Sequence, residues 1–226
     1  MTPRVLFLPG ASGAAAFWQP VTDLLPATWD TELLAWPGLG NEPPDPRIRD
    51  FEDVVRLVID RIVQGSSAID NSAGRSGAGD DGGGHAPVDL VAQSMGGVVA
   101  VQVALRRPQL VRRLVLVATS GGMDLAPFGV ADWRSNYRRS FPSASAWITE
   151  MHVDVSDLLP DISAPTLLVW GDADAISPPA VGERLAAVFP DARLLVVAGG
   201  DHMLARDRAA EVAPAIQDHL ARSAGG

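Results

Sequence analysis

Short apolar runs alternate along the chain with longer stretches whose apolar residues recur at helical spacing. The runs fall at residues 4–8, 31–36, 88–92, 114–118, 166–170 and 193–198, and most are near-continuous in Val and Leu. A strand open to water on one face alternates apolar and polar residues. A continuous run marks a strand covered on both faces, as in a parallel sheet. Between the runs, residues 17–25, 51–63, 95–106, 179–188 and 208–221 read as helices. In the second of these, Val54, Val55, Val58, Ile59 and Ile62 recur at helical spacing. Strand and helix in repetition predict an α/β domain with a doubly wound, mainly parallel sheet of about six strands. Ligands of such sheets bind beyond the carboxyl ends of the strands.

Two segments break the pattern. Residues 65–87 are rich in Gly, Ser and Asp. They offer too little apolar surface to offset the entropy of ordering, so a mobile loop is expected there. Residues 120–164 carry Phe128, Trp133, Tyr137, Phe141, Trp147 and Met151 together with Arg134, Arg138 and Arg139. They read as a small helical insertion between the fourth and fifth strands, placed to serve as a lid. No internal repeat is seen, and a single domain is expected over residues 1–226.

Composition narrows the chemistry. The chain has 226 residues, 47% of them hydrophobic, which suits one domain with a sizeable core. It has no cysteine, which excludes disulfides, thiolate metal sites and a cysteine nucleophile. Its net charge of -9, from 18 basic and 27 acidic residues, disfavours nucleic acid or an anionic membrane as the main partner. No apolar stretch approaches the roughly 18 residues of a membrane span, and the first run is too short for a signal-peptide core. A cytoplasmic chain without membrane insertion is expected. Nothing in the pattern specifies an oligomeric state.

The most informative stretch is Asp89-Leu-Val-Ala-Gln-Ser-Met-Gly-Gly97. A strand runs into Ser94 and a helix follows at once. This is the context of a nucleophile elbow, where a strained turn lifts a hydroxyl clear of the sheet between small residues, here Ala92 and Gly96. The plainer reading is a helix N-cap. A serine hydroxyl is a weak nucleophile and needs a base within reach. Of the four histidines, His85 lies in the expected loop, His152 in the insertion and His219 in the last helix, whereas His202 directly follows the sixth strand in Gly-Gly-Asp-His. The base in turn needs an orienting carboxylate. The loop after the fifth strand, Trp170-Gly-Asp-Ala-Asp174, offers Asp172 and Asp174, while Asp201 adjoins the histidine and is a poor orienter.

On these residues the chain resembles the α/β-hydrolase superfamily, in the small-lid branch that holds esterases, C–C bond hydrolases and cofactor-free haloperoxidases. The resemblance covers residues 5–220 apart from 65–87 and the insertion. It implies a catalytic triad of Ser94, Asp174 and His202, the aspartate being the one three places after the loop glycine. It implies an oxyanion hole formed by the N–H of Met95 and an N–H of the loop after the first strand, by position Ala11, with Ser12 as the weaker choice. The family more often has His-Gly in that loop, where this chain has Pro9-Gly10. The family also begins with an antiparallel hairpin for which this chain has no room, so the sheet should be shorter at that edge.

Candidate pocket walls are Ala11, Phe17, Trp18, Met95, Phe128, Trp133, Tyr137, Trp147 and Met203. Trp18, Trp133, Tyr137, Trp147 and Met203 are assigned to substrate binding. They imply a small-molecule substrate, a small and mainly apolar ester or related carbonyl compound. No cofactor is expected. Gly10-Ala-Ser-Gly13 lacks the third glycine of a dinucleotide fingerprint, the second strand closes on Trp36-Pro37 without an acidic residue, and no Gly-Lys-Ser/Thr occurs. The histidines have no ligand spacing, so no metal is expected. Three functions fit these residues. The first is a serine hydrolase working through an acyl-enzyme. The others are a C–C hydrolase or lyase using the same triad, and a non-enzymatic binding protein that retains it.

Overall fold

The computed structural model describes residues 4–72 and 85–222. In chain order the strands are β1 (Arg4–Leu8), β2 (Asp30–Leu33), β3 (Val88–Gln93), β4 (Val111–Val117), β5 (Thr166–Gly171) and β6 (Ala192–Val197). The helices are α1 (Gln19–Thr22), α2 (Phe51–Ser72), α3 (Met95–Arg106), α4 (Trp133–Ser140), α5 (Trp147–Glu150), α6 (Pro179–Val188), α7 (Leu204–Asp207) and α8 (Ala209–Ala221). The strands form one sheet in the order β2-β1-β3-β4-β5-β6, with every adjacent pair parallel. The order reverses between β1 and β3, which makes a switch point where ligands of such sheets bind.

Side chains alternate across the sheet and build two cores. Leu6, Leu8, Leu90, Leu114, Leu116 and Leu168 face one way, where they pack with Val54 and Val58 of α2, Val99 and Val103 of α3 and Leu185 of α6. Val5, Phe7, Val91, Val115, Leu167 and Val169 face the other way, against Trp18, Val21, Leu204, Val212 and Ile216. Both faces are covered, so β3 and β5 are buried along their whole length, as their near-continuous apolar runs predict. Among the described residues the sheet is short at this edge, as expected: β2 is its outermost strand. Its Glu32 is bonded by Arg4 and by Arg61, each at 2.6 Å, and such charge discourages another strand from pairing there.

Several boundaries differ from the expected ones. The second strand ends at Leu33 and not at residue 36, because the chain turns away and Trp36 N–H bonds the Gly13 carbonyl at 2.9 Å. The helix expected over 17–25 is a 3-10 turn (Ala15–Trp18) followed by the single turn of α1, broken off before Pro26. Helix α2 runs on through Gly65 to Ser72. It therefore takes in the first part of the loop expected over 65–87, of which residues 73–84 lie outside the described residues. A growing helix adds residues at little cost once nucleated, and one glycine costs only about 1 kcal/mol.

The segment between β4 and β5 holds α4, α5 and short 3-10 turns, and buries Met123, Tyr137, Ile148, Leu159 and Ile162 against the first core. Among the described residues no helix is long and apolar enough to cross a membrane.

Candidate active site

Ser94 stands between the end of β3 and the start of α3 with φ 53 and ψ -121, one of two non-glycine residues with positive φ among those described. Such a backbone costs on the order of 1–3 kcal/mol and persists only where its surroundings over-determine it. Here the Ser94 N–H donates to the Val117 carbonyl at 3.0 Å, and the Ser94 carbonyl accepts from the Thr119 hydroxyl at 2.6 Å and from Gly97 N–H at 2.9 Å. The tip of β4 thus grips the turn from the side. Gly96 lets the loop after β1 press against α3, since a Cβ there would stand 2.4 Å from the Pro9 carbonyl oxygen. The Ser94 side chain makes no capping bond, so the N-cap reading does not hold.

Its hydroxyl lies 3.0 Å from Nε2 of His202, while Nδ1 of that ring lies 2.8 Å from Oδ2 of Asp174. The imidazole is 15% exposed and the carboxylate fully buried. The second oxygen of Asp174 accepts from the N–H groups of Ile176 and Ser177 at 2.8 and 2.9 Å, which fixes the carboxylate in its tight turn. Asp172 is directed elsewhere: it is exposed and accepts from Gly199 N–H at 2.5 Å, steadying the base of the histidine loop. Asp201 caps the next turn through Met203 N–H at 2.8 Å. Gln93, which the residue pattern did not single out, is buried and donates to the His202 carbonyl at 3.1 Å, tying the end of β3 to the histidine loop.

Two other histidines bond to backbone elsewhere. His219 is buried in α8 with Nε2 at 3.2 Å from the Pro165 carbonyl, and burial pushes its imidazole down to about 4. His152 lines the cavity described below, and its Nδ1 donates to the Glu150 carbonyl at 2.8 Å.

The two amides expected to act as oxyanion donors belong to Met95 and Ala11. Met95 N–H opens α3, in the first turn, where helix geometry leaves it without an intrahelical acceptor. Ala11 lies in the turn after β1 that is closed by Gly13 N–H to the Gly10 carbonyl at 3.0 Å. Ala11, Ser12 and Met95 all face the cavity that holds Ser94 and His202.

That cavity measures about 1540 Å³, more than the roughly 300–1,000 Å³ of ordinary ligand pockets and roomier than a small ester requires. Of the five residues assigned to substrate binding, Trp133, Tyr137 and Met203 line it. Trp18 does not: it is fully buried on the other face of the sheet, its indole donating to the Leu8 carbonyl at 3.0 Å. Trp147 packs half-buried against the first core, and Phe128 lines a separate small cleft. Large aromatic rings bury as readily into a core as into a pocket, and residue type alone does not tell the two apart. Apolar walls that were not foreseen include Met123, Ile148, Met151 and Ile176. Three of these lie in the insertion, whose short elements have too weak a period to show which face turns inward.

A serine on a strained strand-to-helix turn, beside an imidazole held by a buried carboxylate at the switch point of a parallel sheet, is the arrangement of an α/β-hydrolase. The chain belongs to the alpha/beta hydrolase family, whose model matches residues 5–215. Among curated relatives, a pimeloyl-acyl-carrier-protein methyl ester esterase of Neisseria meningitidis serogroup B is 26% identical, over 88% of this chain and 85% of its own length. Among solved structures, a thermophilic esterase from Thermogutta terrifontis superposes with a TM-score of 0.70 at 21% identity, covering 97% of this chain and 90% of that one. The Rv0554 protein of Mycobacterium tuberculosis superposes with a TM-score of 0.75 at 20% identity, covering 100% and 92%. These structural likenesses establish the fold.

Proposed function

We propose that the protein is a serine hydrolase that cleaves a mainly apolar ester through an acyl-enzyme. The observation that carries this reading is the unbroken chain of contacts from the Ser94 hydroxyl through both nitrogens of His202 to Asp174. In the first step His202 Nε2 takes the Ser94 proton as Oγ bonds to the ester carbonyl carbon. The carbonyl π pair moves to oxygen, where the N–H groups of Met95 and Ala11 stabilise it. Collapse of the tetrahedral adduct breaks the C–O bond, and His202 returns its proton to the leaving alkoxide. A water deprotonated by His202 then releases the acid. Asp174 holds the imidazole in the tautomer that presents a bare Nε2 to the serine and stabilises the imidazolium between steps.

The esterase named among the relatives supports an ester as the scissile group, and the apolar walls Met95, Val98, Met123 and Trp133 suit an acyl or alcohol group of some bulk. In this reading the segment between β4 and β5 serves as the lid over the site. Fluorophosphonate should label wild type at Ser94 and leave Ser94→Ala unlabelled. Nitrophenyl ester turnover should be lost in both Ser94→Ala and His202→Ala. Wild-type turnover that survives either substitution would rule the reading out.

A further inference from the structure

The proposed oxyanion donor at Ala11 sits on a loop with little means of holding itself. Pro9 has no N–H, and the one bond within the loop runs from Gly13 N–H to the Gly10 carbonyl. Side chains from elsewhere hold the rest. The Leu8 carbonyl accepts from the Trp18 indole at 3.0 Å, the Pro9 carbonyl from the Trp36 indole at 2.7 Å, and the Ala11 carbonyl from the Tyr137 hydroxyl at 2.9 Å. Four consecutive carbonyls are therefore occupied. The Tyr137 oxygen also accepts from Gly40 N–H at 2.8 Å, so both its donor and its acceptor capacity are committed to backbone.

A trans peptide plane points its N–H opposite to its C=O. The plane that carries Ala11 N–H has its carbonyl turned into the Gly10–Gly13 turn. The planes on either side are held by Trp36 and by Tyr137. With both neighbours fixed, the direction of the Ala11 amide is fixed as well. We propose that Trp36 and Tyr137 are positioning residues for the oxyanion hole, and that Tyr137 couples the β4–β5 insertion to it. This inference rests on the hydrolase reading above. It also reassigns Tyr137: its ring faces the cavity, but its hydroxyl serves the loop and not the substrate.

Tyr137→Phe and Trp36→Phe remove the donors and keep most of the packing. The test compares steady-state hydrolysis of p-nitrophenyl butyrate with inhibition by an aryl trifluoromethyl ketone. Ser94 Oγ adds to the carbonyl carbon of the ketone, its proton passes to His202, and the resulting hemiketal oxyanion sits between the two amides. In Tyr137→Phe, kcat should fall about tenfold with KM within about twofold of wild type, and the inhibition constant should rise by a similar factor. Trp36→Phe should move both in the same direction. If Trp36→Phe does not fold, Tyr137→Phe decides the matter alone. A Tyr137→Phe enzyme whose kcat and inhibition constant both stay within twofold of wild type overturns the inference. So does one in which KM alone rises, which would make the phenol a pocket wall and nothing more. An active wild type with an indifferent Tyr137→Phe defeats this inference only. A wild type that neither turns over esters nor takes fluorophosphonate defeats the hydrolase reading and this inference with it.

Discussion

Gly171 and Gly200 pass so closely that a Cβ on Gly171 would stand 2.1 Å from the Gly200 carbonyl oxygen. The two residues begin the aspartate loop and the histidine loop, and Ala173 N–H bonds the Gly200 carbonyl at 2.9 Å. Two glycines at the ends of neighbouring strands thus let a carboxylate and an imidazole, 28 residues apart in sequence, come within hydrogen-bond distance.

Gly171→Ala forces these loops apart. We expect a stability loss of about 1–3 kcal/mol, as for other overpacked sites, read from urea unfolding, together with a fall in kcat/KM of more than about tenfold. An alanine enzyme with unchanged kcat/KM would show that the separation of the loops does not govern the geometry of the site.

The two loop aspartates should behave very differently. Asp174→Asn leaves the shape of the site intact and removes the charge behind the imidazole, so kcat should drop by about 10⁴. Asp172→Asn keeps an acceptor for Gly199 N–H and should cost less than about tenfold. Kinetics on the two variants side by side decide this, and the reverse pattern would move the acid to Asp172.

Asp89 is fully buried and held by Arg112, whose Nε donates to Oδ1 at 2.8 Å and whose Nη2 donates to Oδ2. Arg112→Met strands the carboxylate and should cost about 3–5 kcal/mol in urea unfolding. Asp89→Asn placed in the same chain should recover much of that loss. If the double variant is no more stable than Arg112→Met, the cost does not come from the unpaired charge.

His219 gives a pH dependence of known sign. Burial, the first cause, holds its folded-state value at about 4 against an ordinary 6.5, and the Arg113, Arg193 and Arg222 charges act in the same direction. The unfolded chain therefore binds the extra proton between those values. Stability from this group is full above pH 6.5 and is lost as pH falls towards about 4, at up to about 1.4 kcal/mol per pH unit. Asp89 acts with the opposite sign, because burial raises its carboxyl to about 6 against the pull of Arg112. His219→Gln should be less stable than wild type at pH 7, and its deficit should shrink steadily on acidification to pH 4.5. Denaturant midpoints across that range check the trend, and a constant deficit would contradict it.

Parts of the arrangement are legible in the chain alone, because those parts are local patterns. A continuous apolar run marks a strand buried on both faces, so the strand cores appeared at or within a few residues of their places. The sharp turn at Ser94 needs small neighbours at fixed offsets, and Ala92 and Gly96 stand there. The helices α3 and α6 began and ended where expected, since each has a turn or a proline at its ends.

What the residue pattern determined by itself was therefore the alternation of strands and helices, the absence of thiol chemistry, and the short set of polar residues that cluster at one end of the sheet. Between the two loop aspartates the residue pattern left the choice open and the family resemblance pointed to Asp174, which is the one that turns towards the imidazole. Tertiary structure alone decided which tryptophans enter the pocket and which the core, and what the Tyr137 hydroxyl bonds. The reason is physical. Local signals arise from steric and hydrophobic preferences of neighbouring residues. The direction of a loop carboxylate, an indole or a phenol is set by partners scores of residues away, and chain order does not record those encounters.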